Sequence, residues 1–148
     1  AQELGIPIFW HASTTFFAVS PLRWSKPGLL DQVAQRFPRL RMVVCHLGHP
    51  WTTDAVMVMR KHSNVYGDIS GFGFRRWRFY EALATAVEYD VGNKLLFGSD
   101  YPICTVEASI EYLHGAIEMA KRAGLPEISE RTVEDLLQRE SLKLLGMD

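Results

Sequence analysis

Charge of one sign, cysteine and long apolar runs are all scarce in this 148-residue chain, and each scarcity removes a class of function. Sixteen basic side chains face 17 acidic ones, for a formal charge of -1, so there is no electrostatic footprint for a polyanion. Basic residues gather only around positions 74–78, in GFGFRRWRFY, and nucleic acid is not an expected partner. No apolar run approaches the roughly 20 residues that cross a bilayer, and AQELGIP at the start lacks the basic end and long apolar centre of a signal peptide. The expectation is therefore a soluble, cytoplasmic chain with no membrane partner. Ala1 rather than Met stands first, which leaves processing, a boundary or an incomplete reading frame open. Two cysteines, Cys45 and Cys104, are too few for a disulfide framework and too far apart for a zinc knuckle. Cys45 lies in an apolar strand-like run and reads as a small buried hydrophobe. Cys104 could approach a strand mouth, but nothing around it makes it a nucleophile.

What is present is pattern. With 47% hydrophobic residues the chain reads as one globular domain over residues 1–148. Strand-like runs at Ile6–Trp10, Arg41–Cys45, Asn64–Ile69 and Lys94–Phe97 alternate with helical stripes, which predicts parallel strands in an α/β fold. Leu30, Val33, Ala34 and Phe37 keep the i, i+3, i+4, i+7 spacing, and Pro38 ends that helix. Thr52, Thr53 and Asp54 offer N-cap oxygens to a second helix running to Lys61 through Val56, Met57 and Met59. Phe79, Leu83, Ala86 and Val87 mark a third, with Gly92 as its left-handed stop. Val106, Ile110, Leu113, Ile117 and Ala120 form a long fourth helix that stops near Gly124 and Pro126. A last helix is expected over residues 132–145, through Val133, Leu136, Leu137, Leu142 and Leu144, with Thr132 and Asp135 at capping-box spacing.

Four parallel strands alone leave two open edges, so the sheet is either a small open sandwich or half of a (β/α)₈ barrel. The chemistry favours the half-barrel. Its functional residues stand at the carboxyl ends of several strands at once, where His11 ends IPIFWH, His46 ends RMVVCH and Asp100 follows KLLFGS. A whole barrel takes about 250 residues, and this chain has room for little more than half.

His11 and Asp100 carry the imidazole nitrogen and carboxylate oxygen that suit a divalent ion, most simply Zn²⁺, with Mn²⁺ also compatible. Asp100 could pass a proton from an attacking water to a leaving group, and His46 could orient that water or bind an oxyanion. Taken singly, each could instead be a capped strand end. His49, after Gly48 and before Pro50, reads as a turn residue, and His62 and His114 read as solvated surface positions. Asp68 could hydrogen-bond near the mouth or lie inside a barrel. Ser70 and Ser99 flank strand ends without a GxSxG elbow, so a serine triad has weak support. Arg75, Arg76 and Arg78 could clamp an anionic substrate, or could open the next helix and pair with Glu81. Trp10, Trp51, Phe72 and Tyr101 adjoin the candidate ligands and could wall an aromatic or alicyclic substrate, or could be packing.

IPIFWHAS, RFPRLRMVVCHLGHPW, NVYGDIS and KLLFGSDYP, in that order and followed by a helix ending SLKLLG, make the chain resemble the amidohydrolase-2 family of metal-dependent hydrolases and decarboxylases. The resemblance implies the second half of a (β/α)₈ barrel, its strands five to eight. It implies that His11 is a metal-binding histidine, Asp100 a metal-binding and proton-handling aspartate, and His46 the histidine that assists the bound water or substrate. An HxH pair on the family's first strand supplies further ligands, and no HxH occurs here. The implied activity is hydrolysis of C–N or C–O bonds, with nonoxidative decarboxylation of an aromatic or unsaturated acid as the alternative. The implied partner is a small molecule, with a carboxylic acid among the candidates. A reading from another class is a noncatalytic half-barrel that needs a second copy or a missing N-terminal half.

Overall fold

The computed structural model describes residues 1–73 and 75–147; Phe74, in the basic loop, lies outside them. Four short parallel strands, β1 (Ile8–Trp10), β2 (Met42–Val44), β3 (Val65–Asp68) and β4 (Leu95–Leu96), form one sheet in chain order. Helices α1 (Leu30–Arg36), α2 (Thr52–Lys61), α3 (Arg76–Glu88) and α4 (Val106–Arg122) connect or follow the strands, and α5 (Glu130–Leu137) and α6 (Ser141–Leu144) end the chain. This is the predicted run of βα units, with β1 and β4 at the two edges of the described sheet. No helix is long and apolar enough to cross a membrane among the described residues.

Strand register divides the side chains between two faces, because successive residues of a strand point opposite ways. Ile8, Trp10, Met42, Val44, Val65, Ile69 and Leu95 pack with the helices in the main core. The opposite face carries Val43, Tyr66 and Leu96, which form a second cluster with Leu144 of α6 and Leu145 just past it. Gly67 shows how closely α2 presses on the first face. A Cβ there would lie 2.6 Å from Leu47 Cδ1 and 2.9 Å from Met59 Sδ.

The helix ends depart from expectation in instructive ways. Thr52, Thr53 and Asp54 fall at or after the start of α2, whose N-cap position is Trp51 and has no side-chain cap. The left-handed residue that stops α3 is Asp90 (φ 58°), not Gly92. Val91 N donates to Ala86 O and Asp90 N to Val87 O, the paired bonds of a Schellman motif. Asp tolerates this conformation better than most residues with a Cβ. Gly124 plays that part for α4 as predicted, with φ 66° and Leu125 N donating to Ala120 O. The expected helix over 132–145 is two helices. Ser129, not Thr132, caps α5 by accepting from Thr132 N at 3.2 Å, and the chain breaks helix between Leu137 and Ser141. Arg139, in that break, donates to the carbonyls of Gly92 and Leu95 and so pins the carboxyl-terminal arm beneath β4.

Two further expectations are corrected by packing. His62 is not a free surface group: its side chain is 11% exposed, and Nε2 lies 2.7 Å from Asp31 Oδ1. Lys61 also reaches Asp31 at 2.7 Å, so α1 is tied to the end of α2. The Lys61 and His62 hydrogen bonds, in that order of weight, hold the Asp31 carboxyl below its ordinary range. Phe37, placed on the apolar stripe of α1, is exposed, because it falls just past the helix and precedes Pro38.

Candidate functional site

The face bearing Val43 and Leu96 also carries, one step beyond the strands, His11 and Cys45, together with Asp68 at the end of β3. Two residues past Asp68 stands Ser70, again on that face. Strand parity alone would send His46 to the helix side with Val44. His46 (φ 56°), Leu47 (φ 43°) and Gly48 (φ 70°) are consecutive left-handed residues, and this turn swings the imidazole back over β3. Asp100 is also left-handed, at φ 66°. Backbone held in this way costs on the order of 1 kcal/mol per residue and concentrates at functional positions.

At the centre of the mouth the three groups form one network. Asp68 Oδ1 accepts from His46 N at 3.0 Å, from Ser70 N at 2.9 Å and from Ser70 Oγ at 2.5 Å. His46 Nδ1 lies 2.8 Å from Ser70 Oγ. Asp68 and Ser70 are buried, so this carboxylate satisfies donors that water does not reach. The Ser70 N to Asp68 bond is an Asx-turn, the local closure that Asp favours at the end of a strand. The His11 ring stands edge-on to His46, with centroids 5.1 Å apart. Cys45 is half-buried in the same mouth; its thiol is pushed up to about 12 by burial, with the Asp68 and Asp100 carboxylates adding to the effect. It is therefore a neutral wall and not a nucleophile, and it stands past the end of β2 rather than inside the strand.

The edges of the mouth are looser. His11 is exposed, and its Nε2 pairs with Thr14 O at 3.2 Å. Asp100 is half-buried on the β4 side, and its carbonyl accepts from Ile103 N. Trp10 lies on the helix side of β1, packed against the core, with Nε1 buried and unpartnered among the described residues. Phe72 is 2% exposed, stacked on Phe79 and edge-on to His49, so it packs rather than walls an opening. Trp51 is half-buried at the start of α2, and Tyr101 is 79% exposed on the β4 edge. His49 is the turn residue expected: its carbonyl accepts from Ser13 Oγ at 2.7 Å and Thr14 N at 2.8 Å, tying the β1 and β2 loops together. Burial, then the Arg75 and Arg78 charges, lower its imidazole below the ordinary histidine range. The Arg75 and Arg78 charges thus both reach His49; Arg78 pairs with Glu81 at 2.6 Å, and the Arg76 guanidinium packs against the Gly115 position of α4.

The sequence pattern offered His11, His46 and Asp100, and the structure brings His11 against His46. It missed Ser70 as the link between His46 and Asp68. The D-x-S spacing, which puts both side chains on one face of an extended segment, was the signal that could have found it.

A resident metal ion needs several donors converging on one point. Among the described residues no group of three or more His, Cys, Asp or Glu side chains is placed to hold one. His11 and Asp100 stand beyond β1 and β4, the outer strands of the sheet, with two strands between them. Two donors at opposite edges do not by themselves fit a structural or catalytic zinc site, which takes three or four protein ligands. A groove of about 750 Å³ between α4 and α5 contains none of these residues; the donor chemistry, not the cavity, locates the site.

An amidohydrolase family model matches residues 1–147, and the chain belongs to that family. No curated protein matches it. An uncharacterized TIM-barrel protein from Bordetella bronchiseptica is similar at 22% identity and TM-score 0.68, over 99% of this chain and 47% of that one. A dihydroxybenzoic acid decarboxylase from Polaromonas sp. JS666, with bound manganese and 2-nitroresorcinol, is similar at 14% identity and TM-score 0.63, over 99% and 51%. An amidohydrolase from Burkholderia multivorans with bound zinc is similar at 17% identity and TM-score 0.55, over 82% and 49%. The chain therefore spans about half the length of these solved structures, and its four parallel strands correspond to about half of a TIM barrel.

Proposed function

We propose that this chain forms half of the active site of a hydrolase that cleaves a C–N or C–O bond in a small carboxylic acid derivative. The observation that supports this most is the Asp68–Ser70–His46 network at the strand mouths, with His11 against the same imidazole. His46 takes a proton from water; the hydroxide oxygen bonds to the carbonyl carbon; the C–N or C–O bond breaks, and the proton passes to the departing nitrogen or oxygen. Asp100, close enough for its charge to act on Cys45, shares that proton handling. His11 and Asp100 are also proposed as contributors to a divalent-metal site, zinc or manganese, whose remaining donors come from outside these 148 residues. Arg75, whose charge reaches His49, is proposed to attract a substrate carboxylate, with Trp51 and Tyr101 as its proposed aromatic neighbours.

A second reading, nonoxidative decarboxylation, draws on the likeness to the dihydroxybenzoic acid decarboxylase and on Arg75. In that reaction the carbon–carbon bond breaks to release carbon dioxide, and the proton goes to the ring carbon. The test is turnover of small anilides, lactones and aromatic acids with zinc or manganese added, run in ¹⁸O-labelled water with carbon dioxide monitored. Label in the product acid supports hydrolysis, and carbon dioxide release supports the second reading. On either reading, in a preparation that also contains the outside donors, His46→Ala abolishes turnover but spares metal uptake, while His11→Ala and Asp100→Asn lower metal content. Equal metal content in all three variants overturns the assignment of roles.

A further inference from the structure

We infer that Asp68 and Ser70 are positioning residues that hold His46 as its Nδ1–H tautomer and leave Nε2 as the basic atom of the site. The inference rests on the reading of His46 as the proton acceptor, and it assigns to two further residues the control of that acceptor. A serine hydroxyl has one proton to give, and a carboxylate can only accept. Ser70 Oγ lies 2.5 Å from Asp68 Oδ1, a separation that places lone pair against lone pair unless the hydroxyl proton lies between them. The proton is therefore committed to Asp68. At 2.8 Å from His46 Nδ1, Ser70 Oγ has only a lone pair left to offer, so Nδ1 must be the donor. Which ring nitrogen of a histidine keeps its lone pair is set by the bond the other makes. Nε2 has no hydrogen-bond partner among the described residues.

Two glycines keep this arrangement open. Gly71 has φ 74°, and a Cβ there would lie 2.6 Å from His46 Nδ1 and 3.0 Å from Cγ, against the ring itself. A Cβ at Gly98 would lie 3.3 Å from Ser70 Cβ and 4.0 Å from Asp68 Oδ1. The imidazole therefore sits on a backbone stripped of side chain where the ring and its serine need room. Asp68 Oδ1 also binds the His46 backbone N–H, so one carboxylate oxygen fixes both the left-handed turn and, through Ser70, the ring.

The direct test reads the imidazole nitrogens by long-range ¹H–¹⁵N NMR on the chelator-treated full chain, with the His46 signals assigned by their loss in His46→Gln. Wild type is expected to show Nδ1 protonated and Nε2 bare. Ser70→Ala is expected to move the majority to Nε2–H, whereas Asp68→Asn, which retains an acceptor oxygen, keeps Nδ1–H. Gly71→Ala displaces the ring from Ser70 and is expected to behave like Ser70→Ala. A wild-type His46 that is Nε2–H, or a Ser70→Ala protein with the tautomer unchanged, overturns the inference; the wild-type spectrum alone suffices if a variant fails to fold. A serine with only a structural role would lower the melting temperature without moving these signals. With an active preparation, Ser70→Ala is expected to lower kcat by at least about 10-fold with KM little changed, and a change in KM alone counts against it. If the tautomer behaves as expected but no substrate is turned over, the proposed function fails and the positioning role stands.

Discussion

The centre of the strand mouth and its two edges are built to different standards. Between β2 and β3, the His46, Ser70 and Asp68 groups satisfy one another in a buried network, on strands whose residues Met42, Val43, Val44 and Val65 are fully buried. At β1 and β4, His11 has a single exposed bond, and the surroundings are bare apolar surface. Phe9 is 55% exposed, Phe16 90% and Tyr101 79%. These are large apolar groups left in solvent, and the chain spans about half of the barrels it resembles. The hydrogen-bonded centre is thus satisfied within this chain, whereas His11 at the edge has one exposed bond.

That contrast breaks most sharply at Asp68. Asp68→Ala strands the His46 N–H, the Ser70 N–H and the Ser70 hydroxyl together, and each buried unsatisfied group costs about 1–3 kcal/mol. A loss of about 3 kcal/mol or more is expected in urea denaturation. A loss below about 1 kcal/mol would mean that the centre is not the organised region it is taken to be. Gly67→Ala comes next: its methyl meets Leu47 and Met59 inside van der Waals distance, and overpacking of this kind costs about 1–3 kcal/mol. At the edge, Phe9→Ser and Phe16→Ser are expected to change stability by no more than about 0.5 kcal/mol while lowering the binding of an apolar dye. A cost above about 2 kcal/mol at either position would erase the distinction between centre and edge.

The same division explains what the residues announced. The apolar runs named all four strands to within two residues, because strands that carry apolar side chains on both faces read as near-continuous hydrophobic stretches. His11, His46 and Asp100 were visible because each follows such a run. Strand parity, however, places His46 on the wrong face, and only three successive left-handed residues, two of them not glycine, return it to Asp68. Nothing in the letters of CHLG dictates that turn. For the same reason Gly92 was the natural stop for α3 while Asp90 performs it: a glycine advertises a left-handed residue, and an aspartate does so far less. Trp10 adjoins a candidate ligand in sequence yet packs away from the opening, since neighbours along a strand face opposite ways, and Phe72, past the left-handed Gly71, turns in to stack on Phe79. The link made by Ser70 depended on knowing that the chain stays extended past Asp68.

Near neutral pH the smallest expected effect lies with Cys45, where centre and edge meet electrostatically. Its thiol titrates at about 12 in the folded chain, against an ordinary 9.0, because burial and the Asp68 and Asp100 charges disfavour the thiolate. Native protein is therefore expected to react slowly with iodoacetamide at Cys45 near pH 8, and urea-unfolded protein quickly. The folded state holds that proton more tightly than the unfolded state, so the stabilisation is fully present below about pH 9 and is lost as pH rises from 9 toward 12. Lys94 works in the opposite sense. Burial lowers it to about 8 from 10.5, so the unfolded chain binds more protons between those values, and stability contributed there rises with pH. The two partly cancel in the wild-type profile, but comparing Cys45→Ala with wild type at each pH isolates the thiol. The variant is expected to lose less stability than wild type between pH 9 and 12. Parallel profiles across that interval would show that the folded chain does not hold the Cys45 proton more tightly than the unfolded one.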